Sequence, residues 1–173
     1  MSVKERREYD GFFEATLAEH HGVISRVVSS YERNKALQEE LYQEISVALW
    51  KALAKFDRQS SLKTYILSIA HKRAVSHVAK HVREPSVVEI SELELPGKSC
   101  PSDEMNQSQR MAKLMTAMYQ LALSDRQLVT LALEGLSYKE ISHILGISVS
   151  NVGVKLNRAK SKLNQLLLEE VKA

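Results

Sequence analysis

All three prolines of this 173-residue chain, Pro85, Pro96 and Pro101, fall in one short stretch, and only 6 glycines are spread over its whole length. Proline fixes φ and removes a backbone donor, and proline and glycine together build most tight turns. A β-sandwich or barrel needs such turns at regular intervals, so the chain is predicted to be all-α. The clustered prolines also mark where helix stops. They predict a linker over 84–106 between two small helical domains, 1–83 and 107–173. No apolar run exceeds four residues, so no membrane insertion is expected. The first residues, Met1-Ser2-Val3-Lys4-Glu5, lead into no secretory apolar segment, and the single cysteine, Cys100, has no disulfide partner. Both features favour a cytoplasmic setting.

A net charge of +3 is too small to mark a nucleic-acid binder, but its distribution is informative. Residues 1–82 carry 13 basic and 10 acidic side chains, 83–110 carry 3 and 6, and 111–173 carry 8 and 5. The ends are positive and the linker is acidic.

Apolar residues recur at helical spacing on both sides of the linker. Asp10 is expected to cap a first helix, with Phe13, Leu17, Ile24, Val28 and Tyr31 facing inward and Gly22 as a weak point. A second helix is predicted over Ala36–Lys55 on the stripe Leu37, Leu41, Ile45, Leu49, Leu53 and Phe56. After the polar break Asp57–Ser61, a third runs over Leu62–His81, with Leu62, Ile66, Ile69, Ala70, Ala74 and Val78 inward. Beyond the linker, a helix near 107–122 buries Leu114, Met115, Met118 and Leu121. Ser124–Gln127 and Ser137–Glu140 have the spacing of capping boxes, and Gly135 and Gly146 end the helices that follow them. Ser148 or Ser150 opens a last helix reaching about Leu168.

Residues 137–162 have the spacing of a helix-turn-helix. Ile141, Leu145, Ile147, Val152 and Leu156 supply a shared core, Ser142 is small at the crossing, and Gly146 permits a left-handed turn. The second helix carries Lys155, Arg158, Lys160 and Lys162 and no carboxylate from 149 to 162. Ser148, Ser150, Asn151, Val154 and Asn157 are short or amide-bearing and suit base edges in a major groove, while the cations suit phosphates. Gly153 costs about 1 kcal/mol relative to Ala inside a helix; two readings stay open, a bare backbone lying close to DNA or no role at all.

The stretch Arg58–Arg83 holds six basic residues and no acidic one. It reads as a phosphate-binding surface with Tyr65 placed to stack on an unpaired base, or, equally open, as a solvated helix face with Tyr65 in the core. The preceding helix is acidic, through Glu39, Glu40 and Glu44. With Gln43, Glu44 and Trp50 off the apolar stripe, it suits a protein partner; the alternative, equally open, is that Trp50 belongs to the core. His77 and His81 are four apart on one helix face, but no carboxylate or cysteine near them in sequence completes a ligand set, so no metal is expected. Nor is a cofactor. No phosphate-cradling glycine loop, nucleophile elbow or acid/base pair is present, which argues against an enzyme.

Three blocks then resemble one family in order. QEELYQEISVALW at 38–50 resembles the AEDLxQExFxxxW segment of bacterial sigma factors. FDRQSSLKTYILSIAHKRA at 56–74 resembles the aromatic-loop-helix stretch that follows it. Residues 124–163 resemble the family's C-terminal helix-turn-helix, often EIAxxLGxxxGTVxxRxxRAxxxL. Ser150-Asn151 replaces the frequent Gly-Thr, Gly153 a frequent cation, Tyr65 a frequent Trp, and Lys72 the usual Asn. With two domains and an acidic linker, the chain is similar to the short extracytoplasmic-function (ECF) group of the sigma-70 superfamily.

The resemblance implies a non-enzymatic specificity subunit of RNA polymerase. Leu41, Gln43, Glu44 and Trp50 would face the β′ clamp helices of the core enzyme, and the C-terminal domain its β flap. Ser60, Ser61, Lys63, Tyr65, Lys72 and Arg73 would bind the −10 element, whose flipped base needs a pocket. Ser148, Ser150, Asn151, Val154, Lys155, Asn157, Arg158 and Lys160 would bind the −35 element. An anti-sigma factor is a further implied partner. From the residues alone, two other classes stay open. One is a stand-alone helix-turn-helix regulator with an N-terminal sensing or dimerising domain, and the other is a helical adaptor that binds only protein.

Overall fold

A computed structural model of the chain describes residues 3–83 and 102–172, with side-chain surroundings over 4–81 and 107–168. Among the described residues there are helices and no strand: α1 (Val3–Tyr31), α2 (Lys35–Leu53), α3 (Leu62–Arg83), α4 (Ser102–Gln120), α5 (Leu123–Leu133), α6 (Tyr138–Leu145) and α7 (Val149–Lys172). They fall into two compact units, Met1–Glu84 and Pro85–Ala173. Most of the expected linker, with its prolines, Gly97 and Cys100, lies outside the described residues. Its last part does not, because α4 already begins at Ser102 rather than near 107. The opening turns of α4 are mostly polar, so no apolar period announces them.

In the N-terminal unit α3 packs against both α1 and α2, which also pack on each other. Ile24, Val27, Val28 and Tyr31 meet Leu41, Ile45, Leu49 and Leu53 and, from α3, Ile66, Leu67, Ala70 and Ala74, all buried. Helix α1 starts well before Asp10 and runs through Gly22. Asp10 is therefore not a cap; its Oδ1 accepts a hydrogen bond from the Trp50 indole Nε1 at 3.2 Å. The charged residues at 4–8 are good helix formers and carry the helix upstream. Asn34 caps α2 instead, its Oδ1 accepting from the amides of Ala36 (2.9 Å) and Leu37 (3.3 Å). Between α2 and α3, Arg58 takes a left-handed φ of 61°. The Asp57 carboxylate supports the turn by accepting from the Gln59 amide at 3.2 Å.

In the C-terminal unit α7 packs against α4, α5 and α6. Ser137 and Glu140 form a complete capping box: the Ser137 hydroxyl accepts from the Glu140 amide at 3.3 Å, and the Glu140 carboxylate accepts from the Ser137 amide at 2.8 Å. Gly135 (φ 83°) and Gly146 (φ 67°) hold the left-handed backbone that follows α5 and α6. The expected box at Ser124–Gln127 is absent. Helix α5 begins at Leu123 behind Ala122 and has no side-chain cap. Arg126 instead turns back to the end of α4, donating to the carbonyls of Met118 (3.1 Å), Tyr119 (2.8 Å) and Leu121 (3.2 Å). Its guanidinium also lies 5.1 Å from the Tyr119 ring centroid.

His71 is buried in the first unit, where its Nδ1 shares a 2.6 Å hydrogen bond with the Tyr31 hydroxyl. Burial pushes its pKa down from 6.5 to about 3. Between those values the unfolded chain binds a proton that the folded chain does not. The stabilisation is therefore complete above pH 6.5 and falls as pH drops toward 3, by up to about 1.4 kcal/mol per unit. Urea melts of the wild type from pH 7 to 4.5 should show this slope superimposed on that of the carboxylates. Tyr31→Phe/His71→Leu should be flatter over the same range, and the difference between the two profiles is the contribution of His71.

Candidate nucleic-acid interface

Helix α7 divides cleanly into two faces. Val152, Leu156, Ala159 and Leu163 are buried against the unit. Ser148, Ser150, Asn151, Val154, Lys155, Asn157, Arg158 and Lys160 are exposed. Val154 is 60% exposed, a bare methyl pair among amides and cations. Lys155, Arg158, Lys160 and Lys162 make no ion pair among the described residues, so their charge is directed to solvent.

The turn ahead of α7 is rigidly built. The Ser142 hydroxyl donates to the Ile147 carbonyl at 2.5 Å. The amides of Gly146 (2.9 Å) and Ile147 (3.3 Å) donate to the Ser142 carbonyl. The Ser148 hydroxyl accepts from the Asn151 amide at 3.2 Å and so caps α7. Gly153 faces α6 rather than open solvent: a Cβ there would lie 3.5 Å from Tyr138 Cε2. The glycine thus lies beside an aromatic ring with room for one methyl group.

The loop and outer face of α3 form a second basic surface. Ser60, Ser61, Lys72 and Arg73 are exposed, and Lys63 and Tyr65 are half-buried. Ser61 caps α3, accepting from the Thr64 amide at 3.0 Å. Tyr65 does not stand free. Its hydroxyl donates to the Ala52 carbonyl at 3.1 Å, and its ring lies 4.8 Å from that of Phe56.

On α2 the sequence reading needs two corrections. Leu41 is fully buried and belongs to the core. Trp50 is held beneath α1: its indole is tied to Asp10, and its ring meets Tyr9 edge-on at 6.0 Å and 66°. The exposed face is an open groove of about 510 Å³ lined by Glu40, Gln43, Glu44, Val47, Ala48, Lys51 and Arg73. Val47, 55% exposed, was missed in sequence, although it follows Gln43 by one helical turn. A third correction concerns His77. Carboxylates far from it in sequence do surround it, with Glu32 and Glu44 oxygens at 3.6 and 3.8 Å and Glu40 close by.

Comparison with known proteins follows the same division. Residues 17–84 match the family described as Sigma-70 region 2, and residues 111–163 match Sigma-70, region 4. The chain is 25% identical over 161 residues to the RNA polymerase sigma factor NccH of Alcaligenes xylosoxydans xylosoxydans, covering 87% of this chain and 84% of that protein. It is 27% identical over 146 residues to the ECF RNA polymerase sigma factor SigM of Bacillus subtilis, covering 83% and 87%. Its fold is similar to that of the sigma factor RpoE, solved in complex with the anti-sigma factor NepR from Bartonella quintana. The TM-score is 0.72 at 21% identity, covering 90% of this chain and 96% of that one.

The contact at residue 153 yields a stability prediction. Gly153→Ala places its methyl in ordinary contact with Tyr138 and should stabilise the C-terminal unit by about 1 kcal/mol. Thermal melting checks this, and an unchanged or lower melting temperature would mean that the ring cannot accept the methyl.

Proposed function

We propose a division of labour between the two units, on the premise that the chain belongs to the sigma-70 family, as an RNA polymerase sigma factor of the ECF type. The C-terminal unit lays α7 in the major groove of the −35 element. Ser148, Ser150, Asn151, Val154 and Asn157 reach base edges, and Lys155, Arg158 and Lys160 hold phosphates. Capping of α7 by Ser148 and the Ser142–Ile147 lock support this by fixing how the helix projects.

The N-terminal unit receives the −10 element on the loop before α3 and on the outer face of that helix. Ser60, Ser61 and Lys63 surround the displaced base, and Lys72 and Arg73 hold the backbone. Tyr65, braced by Ala52 and Phe56, acts as a fixed wall against which a base can pack. Gln43 and Glu44, joined by Val47, present the face for the β′ clamp helices, and the C-terminal unit contacts the β flap. The working parts are 1–83 and the C-terminal helices from α4 onward, and the acidic connection between them ends where α4 begins at Ser102.

RNA synthesis belongs to the polymerase, so this chain is an initiation factor and not an enzyme. It acts in the cytoplasm, and no described helix is long and apolar enough to cross a membrane. An anti-sigma factor that covers these surfaces is proposed by analogy with the RpoE–NepR complex.

The observation that carries this reading is the region 2 match across α1–α3. A stand-alone regulator would need only the helix pair α6–α7. Run-off transcription with purified core polymerase tests it: defined promoters should fire only when the chain is added. Glu44→Lys should weaken core binding at least tenfold with an unchanged helical signal; if promoter firing is unaffected, α2 is not the docking face. Arg158→Ala should weaken promoter binding and lower the slope of log affinity against log salt by about one. An unchanged slope would move the phosphate contacts elsewhere.

A further inference from the structure

We propose that the N-terminal unit holds a divalent transition-metal site, of the kind that takes zinc, formed by His77 and His81 of α3 with Glu40 of α2. One ligand atom from each of these residues lies within 4.8 Å of the others. His77 is 1% exposed, and neither of its ring nitrogens has a hydrogen-bond partner. Two carboxylates flank it, Glu32 Oε2 at 3.6 Å from Nε2 and Glu44 Oε2 at 3.8 Å from Nδ1. Both are too far for a hydrogen bond. A buried imidazole with two unsatisfied nitrogens is costly and calls for an explanation. A bound ion supplies one.

His81 is prepared for the same role. Its Nδ1 lies 2.9 Å from the His77 carbonyl oxygen. A carbonyl only accepts, so Nδ1 carries the proton and Nε2 is left with a free lone pair. The two imidazoles lie one helical turn apart, with ring centroids separated by 4.2 Å. Glu40 is reachable from both. Its present neighbour is Lys80, whose Nζ is 3.8 Å from Oε1, in an exposed pair of the kind that contributes little.

Two imidazoles and a carboxylate suit zinc and similar borderline ions, whereas calcium and magnesium prefer oxygen alone. Zinc–nitrogen bonds of about 2.0–2.1 Å place tetrahedral ligands roughly 3.3 Å apart. Rotation of the partly exposed Glu40 and His81 side chains closes the set to that size. Whichever nitrogen of His77 binds, the other faces Glu32 at 3.6 Å or Glu44 at 3.8 Å; closing that gap by less than about 1 Å would give the carboxylate–histidine–metal arrangement that orients a ligating ring. Glu32 is itself held in place, its Oε1 accepting from the Asn34 amide at 2.9 Å. An ion here ties α2 to α3 and sits beside the groove that Glu40 and Glu44 line, so occupancy changes the charge of that surface.

Titration of the metal-stripped full-length chain with Co²⁺ tests the site. The expected result is a visible d–d band that saturates at one equivalent, is abolished by added Zn²⁺ and is unaffected by Mg²⁺. His81→Ala and Glu40→Gln, both at partly exposed positions, should each weaken Co²⁺ binding at least tenfold while the far-ultraviolet helical signal is unchanged. His143→Ala, at an exposed position on α6, should leave it intact. Absence of the band, or one that survives both substitutions at full affinity, overturns the proposal. So does an equal loss in His143→Ala.

Discussion

The rotation of α3 and α7 about their own axes is the constraint on which both basic surfaces depend. In α7 the row Val152, Leu156, Ala159 and Leu163 is buried, and the helical period then sends Asn151, Val154, Lys155 and Arg158 outward. A slip of one residue would turn the helix by about 100° and bring cations toward the core. In α3 the row Ile66, Leu67, Ala70, Ala74 and His77 is buried, leaving Lys72 and Arg73 to solvent. Apolar burial thus decides where the charge points. The charged residues do not fix their own orientation.

This hierarchy explains which parts of the structure were legible in the sequence. The inward rows of α2, α3 and α7 were readable because periodicity is local and burial enforces it. The Ser137–Glu140 box and the turn at Gly146 were readable because every atom they use lies within a few residues. Ser124–Gln127 has the same letters as a capping box, but the cap position falls on Ala122, two residues earlier, and Arg126 serves the end of α4. Composition alone cannot separate these two outcomes, since the choice depends on where α4 stops. Asp10 misled for a similar reason. Aspartate favours helix starts, yet here it sits mid-helix and accepts from Trp50, 40 residues away.

For the candidate site, what was legible is the exposure of side chains on a helix whose buried face is clear. All eight positions expected on and just before α7 are exposed. On α2, Leu41 lay on the apolar stripe and proved to be core, and Trp50 proved to be held by α1. Val47 was overlooked because an isolated valine carries no polar signal. Its significance comes from Gln43, Glu44 and Arg73 around it, and Arg73 arrives from another helix.

The histidines of α3 show most directly what a linear reading omits. Ala70 and Ala74 are small and fully buried, which lets α1 and α2 approach α3 closely. Larger polar side chains beside them then sit in the seams between helices. His71 meets Tyr31 near the end of α1. His77, farther along, meets Glu32 just beyond α1 and Glu44 from α2. A single imidazole therefore contacts the surroundings of both neighbouring helices, and any shift of α1 or α2 against α3 changes its two carboxylate distances in opposite senses or together. Such a residue couples the packing of the unit to the electrostatics of its α2 surface, a link that no spacing within α3 can reveal.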